Sequence, residues 1–150
     1  MRVIVSAGGT GGHIYPALAI INKLKEKYKK CEVLYIGTTD RMESTLIPSL
    51  NIEYVGVPMK GLNRKNLFKN IEVIKSFRNG IKKVEEVMKN FKPDVVLGIG
   101  GYITAPVIIA AHNLKIKTFI HEQNSIPGLS NKILKRYANV VGVSLEESIK

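Results

Sequence analysis

The stretch VIVSAGGTGGH, residues 3–13, decides the fold class of this chain. Residues 3–6 form a short apolar run that ends in glycines, which predicts a buried strand. Apolar residues recur at helical spacing over 16–28, and Pro16 suits the first turn of a helix there. A strand, a glycine-rich turn and a helix in this order predict the beginning of a βαβ unit.

The same alternation continues along the chain. Five further apolar runs predict strands over 33–37, 52–57, 95–98, 118–121 and 140–143. Between them, helical patterns cover 40–50 (with Asp40 as N-cap), 67–91, 105–113 and 129–137, and another helix is expected to begin at Ser144. Strands that alternate with helices predict an α/β fold, a doubly wound parallel sheet of the Rossmann-like kind.

Composition excludes several classes of protein. The 150 residues match one ordinary domain, and 45% of them are hydrophobic, so the chain is neither disordered nor of low complexity. No apolar run reaches the about 20 residues of a membrane helix. The single cysteine, Cys31, excludes a disulfide scaffold and suits a reducing cytoplasm.

Positive charge is concentrated in one segment. The chain has 23 Lys and Arg against 12 Asp and Glu, a net charge of +11, and residues 60–92 contain ten of these basic residues but only three acidic ones. This segment is either a solvated amphipathic helix or a surface for an anionic membrane, whose apolar and basic residues would be Arg64, Lys65, Leu67, Phe68 and Lys69. Nucleic acid is not expected as a partner, since the segment has few aromatic residues and no recognised binding motif.

Three polar or glycine-rich segments follow predicted strands, namely 6–13, 98–102 and 121–124. Because ligands of open parallel sheets bind at the carboxyl ends of the strands, we expect the three to share one cleft. The first loop lacks both the lysine of a Walker A motif and the third glycine of a dinucleotide fingerprint. Its glycines still allow backbone amides to approach a diphosphate or a sugar at a helix N-terminus, although a tight turn without a ligand explains them too.

Two histidines are candidate functional residues. His13 is expected at a helix N-terminus, where the dipole keeps the imidazole neutral, so it is either a general base or a hydrogen-bonding cap of the loop. His121 precedes Glu122, Gln123 and Asn124, a polar run that predicts a ligand site or a set of mutual structural partners. The histidines lack the spacing of zinc ligands, so no metal site is predicted.

With these segments placed, the sequence resembles the N-terminal half of the MurG family of bacterial glycosyltransferases. Four motifs carry the resemblance in the family's order, at 8–16, 37–43, 92–102 and 121–124, and Gly128, Asn131 and Lys132 follow them. The family adds N-acetylglucosamine to lipid I with inversion, giving lipid II for peptidoglycan synthesis. It has the GT-B architecture, in which two Rossmann-like domains face each other across a cleft.

The resemblance implies a role for each motif. His13 is implied as the base that activates the muramyl 4-hydroxyl, and Glu122 as a residue that orients it. The remaining implied contacts are with the donor UDP-N-acetylglucosamine (Thr10, Gly11, Gly12 and Asn124) and with the acceptor diphosphate (Gly100, Gly101 and Tyr102). No cofactor and no metal is implied.

The resemblance also implies which domain of the enzyme this chain represents and where in the cell the enzyme acts. Residues 1–150 correspond to the acceptor-side domain, and the chain alone, without the donor-binding domain, is expected to be inactive. The family docks peripherally on the cytoplasmic face of the cell membrane, which suits the basic segment. The alternatives are another GT-B nucleotide-sugar enzyme and a non-catalytic module that binds anionic membranes.

Overall fold

The computed structural model describes residues 1–59, 70–126 and 128–145, together with the backbone but not the side chains of Asn70, Ile71 and Leu129. It contains strands and helices that alternate strictly along the chain. They are β1 (Arg2–Ala7), α1 (Gly11–Lys27), β2 (Glu32–Thr38), α2 (Glu43–Ser49), β3 (Glu53–Val57), α3 (Asn70–Phe91), β4 (Val95–Gly100), α4 (Thr104–Asn113), β5 (Lys117–Glu122), α5 (Leu129–Leu134) and β6 (Val140–Val143).

The six strands form one parallel sheet in the order β3-β2-β1-β4-β5-β6. The chain begins in the centre, builds outward to β3 and then crosses back to β4 on the other side of β1. This is the doubly wound Rossmann order, and its switch point lies between β1 and β4. The predicted fold class is confirmed.

Helices cover both faces of the sheet, so successive strand residues enter different cores. Ile4 packs in a core with Val107 and Ile108 of α4, whereas its neighbours Val3 and Val5 pack with Ile14, Ala17 and Ile21 of α1 and Ile47 of α2. All of these side chains are fully buried. Burial on both faces explains why the strands are continuous apolar runs without a polar face.

The helix beginnings differ from the prediction at two points. α1 begins at Gly11 and not at Pro16, which lies inside the helix. α2 begins at Glu43, so the prediction that Asp40 caps it was wrong; the preceding residues form a turn in which Ser44 N donates to Arg41 O at 2.9 Å. As a result, His13 lies in the first turn of α1 and Glu43 in the first turn of α2. Both residues belong to the site described below.

Other boundaries shift by a few residues. α5 ends at Leu134, three residues before the predicted end, because the Tyr137 and Ala138 amides both turn back to Leu134 O. The predicted beginning of α3 at 67–69 and most of the helix predicted from Ser144 lie outside the described residues. Within the described part, no helix has the combination of length and apolar character that crossing a membrane requires.

Candidate functional site

The two glycine-rich loops meet at the switch point of the sheet. Gly8, after β1, donates its N–H to the carbonyl oxygen of Gly100, at the end of β4, over 3.1 Å. Gly101 has φ +87°, and a Cβ there would lie inside contact distance of the Gly8 carbonyl oxygen. Only glycine satisfies both conditions without displacing the backbone. The predicted convergence of the first two loops is therefore present.

Glu43 holds the first glycine loop in place, a role that its sequence position alone does not reveal. Its side chain is fully buried, and its carboxylate accepts hydrogen bonds from Gly9 N (3.2 Å), Thr38 N (3.1 Å) and Thr38 Oγ1 (2.8 Å). A Cβ on Gly8 would come within 2.5 Å of Glu43 Oε1. The buried carboxylate thus ties the end of β2 to the loop after β1, since each of its partners is a donor. The only sequence signal was its membership of the 37–43 motif.

His13 lies in the first turn of α1, where its N–H donates to Thr10 O at 3.1 Å. Its ring packs on Gly100, whose Cβ, if present, would lie 2.6 Å from Nδ1. Burial lowers the pKa of His13 from its ordinary value of 6.5, and the attraction of the Glu122 carboxylate opposes this only partly. The imidazole is therefore neutral near pH 7, as the helix position also favours.

Glu122 organises the third segment. Its Oε1 accepts from the backbone N and Nδ2 of Asn124, and its Oε2 accepts from Gly128 N and Asn131 Nδ2, each at 2.9 Å. Burial by itself would raise the pKa of Glu122, but these hydrogen bonds outweigh it and lower the pKa below 4.5. The carboxylate is therefore ionised at neutral pH. Toward His13 its influence is electrostatic, since all of these hydrogen bonds stay within residues 122–131.

A small cavity of about 140 Å³ joins the three segments. Its lining comes from the α1 turn, the loop after β4 and the loop after β5, namely His13, Gly100, Gly101, Glu122, Asn124, Gly128, Ser130 and Asn131. Asn131 is 8% exposed, and its Oδ1 has no hydrogen-bond partner among the described residues. A buried acceptor of this kind is available to a ligand.

The other predicted site residues lie around this cavity. Thr10 precedes α1, and Gly11 and Gly12 form its first residues. Proximity to Tyr102 raises the pKa of the exposed Arg41 guanidinium. Arg41 therefore brings a positive charge close to Tyr102. The sequence analysis had not predicted Arg41 as a site residue.

The predicted membrane patch cannot be placed in the same way. Arg64, Lys65, Leu67, Phe68 and Lys69 all lie outside the described residues. The two larger grooves of the described part, about 440 and 560 Å³, run along α3 and contain no residue of the three loops.

Comparison with known proteins shows the family to which the chain belongs. The model of the glycosyltransferase family 28 N-terminal domain matches residues 3–143. The chain belongs to this family. It is 46% identical over 148 residues to a Bacillus pumilus protein named UDP-N-acetylglucosamine--N-acetylmuramyl-(pentapeptide) pyrophosphoryl-undecaprenol N-acetylglucosamine transferase, and 47% identical to the protein of the same name from Natranaerobius thermophilus. These matches cover 99% of this chain but only 41% and 40% of the relatives.

Solved structures extend the family match. The crystal structure of MurG from Acinetobacter baumannii superposes with a TM-score of 0.86 at 32% identity, covering 98% of this chain and 42% of that one. A UDP-GlcNAc 2-epimerase from Neisseria meningitidis has a TM-score of 0.69 at 18% identity, covering 99% of this chain and 41% of that one, which shows a shared fold alone. The family 28 chain thus spans about two-fifths of the length of its relatives.

Proposed function

We propose that this family 28 domain is the acceptor-side half of an inverting glycosyltransferase. The reaction transfers N-acetylglucosamine from UDP-N-acetylglucosamine to the muramyl 4-hydroxyl of lipid I. The observation that supports this most directly is the shared cavity, which holds a neutral histidine beside the two glycine loops. The names of the full-length relatives support the choice of donor and acceptor.

The cavity supports a base role for His13. A neutral imidazole accepts the proton of the 4-hydroxyl while the hydroxyl oxygen attacks the anomeric carbon. The bond from that carbon to the diphosphate breaks on the opposite side, so the configuration inverts and the electron pair leaves with UDP. Glu122, ionised nearby, stabilises the imidazolium that results.

Helix beginnings support binding of the phosphates. The first amides of a helix have no intrahelical acceptor, so at Gly11 and Gly12 they can donate to the donor together with Thr10, and Asn124 reaches the same cavity. Gly100, Gly101 and Tyr102 come just before α4, which begins at Thr104, and we assign them to the acceptor diphosphate. Arg41, next to Tyr102, adds a positive charge on that side.

A chimera tests the proposed reaction. Residues 1–150 would replace the matching part of the Bacillus pumilus relative, and the purified protein would be assayed with UDP-N-acetylglucosamine. We expect sugar transfer to a lipid-linked muramyl diphosphate acceptor and much slower transfer to soluble sugars. The unaltered relative is the positive control. Epimerisation of the nucleotide sugar, or transfer to soluble acceptors alone, would contradict the proposal.

We also propose that the basic segment 60–92 docks peripherally on the cytoplasmic face of the cell membrane. In its described part, Lys75, Arg78 and Lys82 are exposed, and Ile74 is 57% exposed among them. Because α3 follows β3, its first turns lie toward the carboxyl ends of the strands, where the acceptor loops also lie. A lipid-linked acceptor requires the membrane-binding surface and the acceptor loops to lie on the same side of the domain.

Vesicle sedimentation tests the membrane surface. The double variant Lys75→Glu/Arg78→Glu should weaken binding to vesicles rich in anionic lipid about 30-fold or more, since each basic residue near such a surface contributes about 1 kcal/mol. The matched control Lys25→Glu/Lys29→Glu makes the same charge change at two exposed lysines, one in the last turn of α1 and one just after it, at the opposite end of the strands. Equal effects of the two variants, or binding insensitive to salt, would remove the proposal.

A further inference from the structure

Gln123 contacts the proposed base directly. It follows Glu122, the last residue of β5, and its side-chain amide reaches back to the first turn of α1. There Nε2 lies 3.3 Å from the Gly12 carbonyl oxygen and 2.5 Å from Nδ1 of His13. One amide nitrogen therefore lies within hydrogen-bond distance of two atoms on neighbouring residues.

Pro16 explains why the Gly12 carbonyl is available. In an α-helix this oxygen would accept the N–H of the residue four positions later, and here that residue is a proline without an N–H. The carbonyl is left free inside the first turn of α1, and the Gln123 amide donates to it instead. The proline that seemed to begin the helix thus creates the acceptor that holds Gln123 in place.

The Gly12 carbonyl determines which way the amide faces. With Nε2 toward α1, Gln123 makes both contacts and leaves only Oε1 without a partner. The reversed amide would direct Oε1 at the Gly12 oxygen and leave a buried NH₂ group unpaired. Two oxygens facing each other repel, and an unpaired buried donor is costly. The first arrangement is therefore favoured.

We propose that Gln123 is a positioning residue that selects the tautomer of His13, with the proton on Nε2 and the lone pair on Nδ1. The importance of this tautomer for catalysis rests on the proposed function, in which His13 is the base. Because Nε2 of Gln123 donates, Nδ1 of His13 must accept, and in a neutral imidazole the other nitrogen then carries the proton. Gly100 supports the arrangement, since a side chain there would displace Nδ1.

The tautomer decides which nitrogen acts as the base. Nδ1 is the nitrogen that can take a proton, so during the reaction the acceptor hydroxyl has to take the place of the Gln123 amide there. Nε2–H stays a donor throughout, available to an anionic oxygen of the substrate. The proton passes from the hydroxyl to Nδ1, giving an imidazolium that Glu122 stabilises electrostatically.

Nitrogen-15 NMR of the imidazole rings in the 150-residue chain tests the tautomer directly. At a pH where His13 is neutral, we expect a proton bonded to Nε2 and a non-protonated shift for Nδ1. His112, exposed on α4, is an internal reference far from Gln123. A proton on Nδ1 of His13 in the unmodified chain would overturn the proposal at once.

Two variants separate tautomer selection from a structural role. Gln123→Glu replaces the donor by a carboxylate, which can only accept, so the proton should move to Nδ1 and the pKa of His13 should rise. Gln123→Met keeps the length of the side chain but donates no hydrogen bond. The nitrogen-15 chemical shift of Nδ1 should therefore move toward the average of the two tautomers. Glu122 is retained in both, and His112 should not change. Amide spectra would confirm that each variant is folded.

Unchanged His13 nitrogen shifts in both folded variants would overturn the assignment. If Gln123→Glu fails to fold, Gln123→Met decides the question. The readout is independent of sugar transfer, so an inactive chimera with the expected tautomer would remove the proposed function and leave the tautomer assignment standing. An active chimera with the opposite tautomer would support the proposed function and overturn the tautomer assignment.

Discussion

Replacing His13 by alanine in the chimeric transferase should lower kcat about 100- to 10,000-fold, the usual contribution of a positioned general base. The ring lines the shared cavity and is neutral at pH 7, so its loss removes the group that accepts the hydroxyl proton. The KM for the nucleotide sugar should change little, because the donor contacts assigned here lie in Thr10, Gly11, Gly12 and Asn124. Steady-state kinetics with both substrates varied would measure the two effects separately.

The pH profile sharpens this prediction. Since burial holds the pKa of His13 below 6.5 and Glu122 opposes burial only partly, kcat/KM of the unmodified chimera should fall only below that pH, as the base becomes protonated. His112→Ala, an exposed substitution on α4, is the matched control and should leave both constants unchanged. Near-normal turnover of His13→Ala would remove the base assignment without affecting the family.

Gly101→Ala should destabilise the chain by about 2–5 kcal/mol. Alanine at φ +87° costs about 1–2 kcal/mol, and the clash of its Cβ with the Gly8 carbonyl oxygen adds about 1–3 kcal/mol, since a backbone atom cannot move away freely. The clash also strains the Gly8–Gly100 hydrogen bond, which joins the two loops of the site. Urea denaturation of the 150-residue chain would measure the free energy of unfolding.

Gly9→Ala is the matched control for this variant. Gly9 has φ +90°, nearly the same backbone conformation, but nothing lies within 4 Å of the position of its Cβ. We expect a loss of about 1–2 kcal/mol from conformational strain alone. The difference between the two variants is therefore the contribution of the clash. Equal losses would show that Gly101 matters only for its φ angle and not for the close approach of the two loops.

Most of the fold was predictable because it follows local rules. All six strands were predicted, and β6 matches to the residue, since apolar runs between glycines and helices have few other interpretations. The convergence of residues 6–13, 98–102 and 121–124 followed from the parallel order of the strands. His13 was a candidate because a helix N-terminus keeps an imidazole neutral, Glu122 belonged to a polar run at a strand end, and the family resemblance implied their catalytic roles.

The errors at helix beginnings share a cause. Pro16 and Asp40 are good first-turn and capping residues, so the local pattern places helix beginnings there. The structure instead begins these helices at Gly11 and Glu43, because contacts from elsewhere in the chain stabilise those turns. Gln123 compensates for the proline, and Glu43 binds the loop after β1. Local propensity cannot predict these contacts, because the partner residues lie far away in the sequence.

The sequence by itself determined the α/β class, the parallel order and the edge of the sheet at which ligands bind, because periodicity and strand direction are properties of short segments. Only the tertiary structure decided what each polar residue does there. Glu122 bonds to its own loop, Glu43 anchors the glycines, and Gln123 reaches His13 across 110 residues of sequence. Such pairings depend on distances that exist only once the sheet has brought distant loops together.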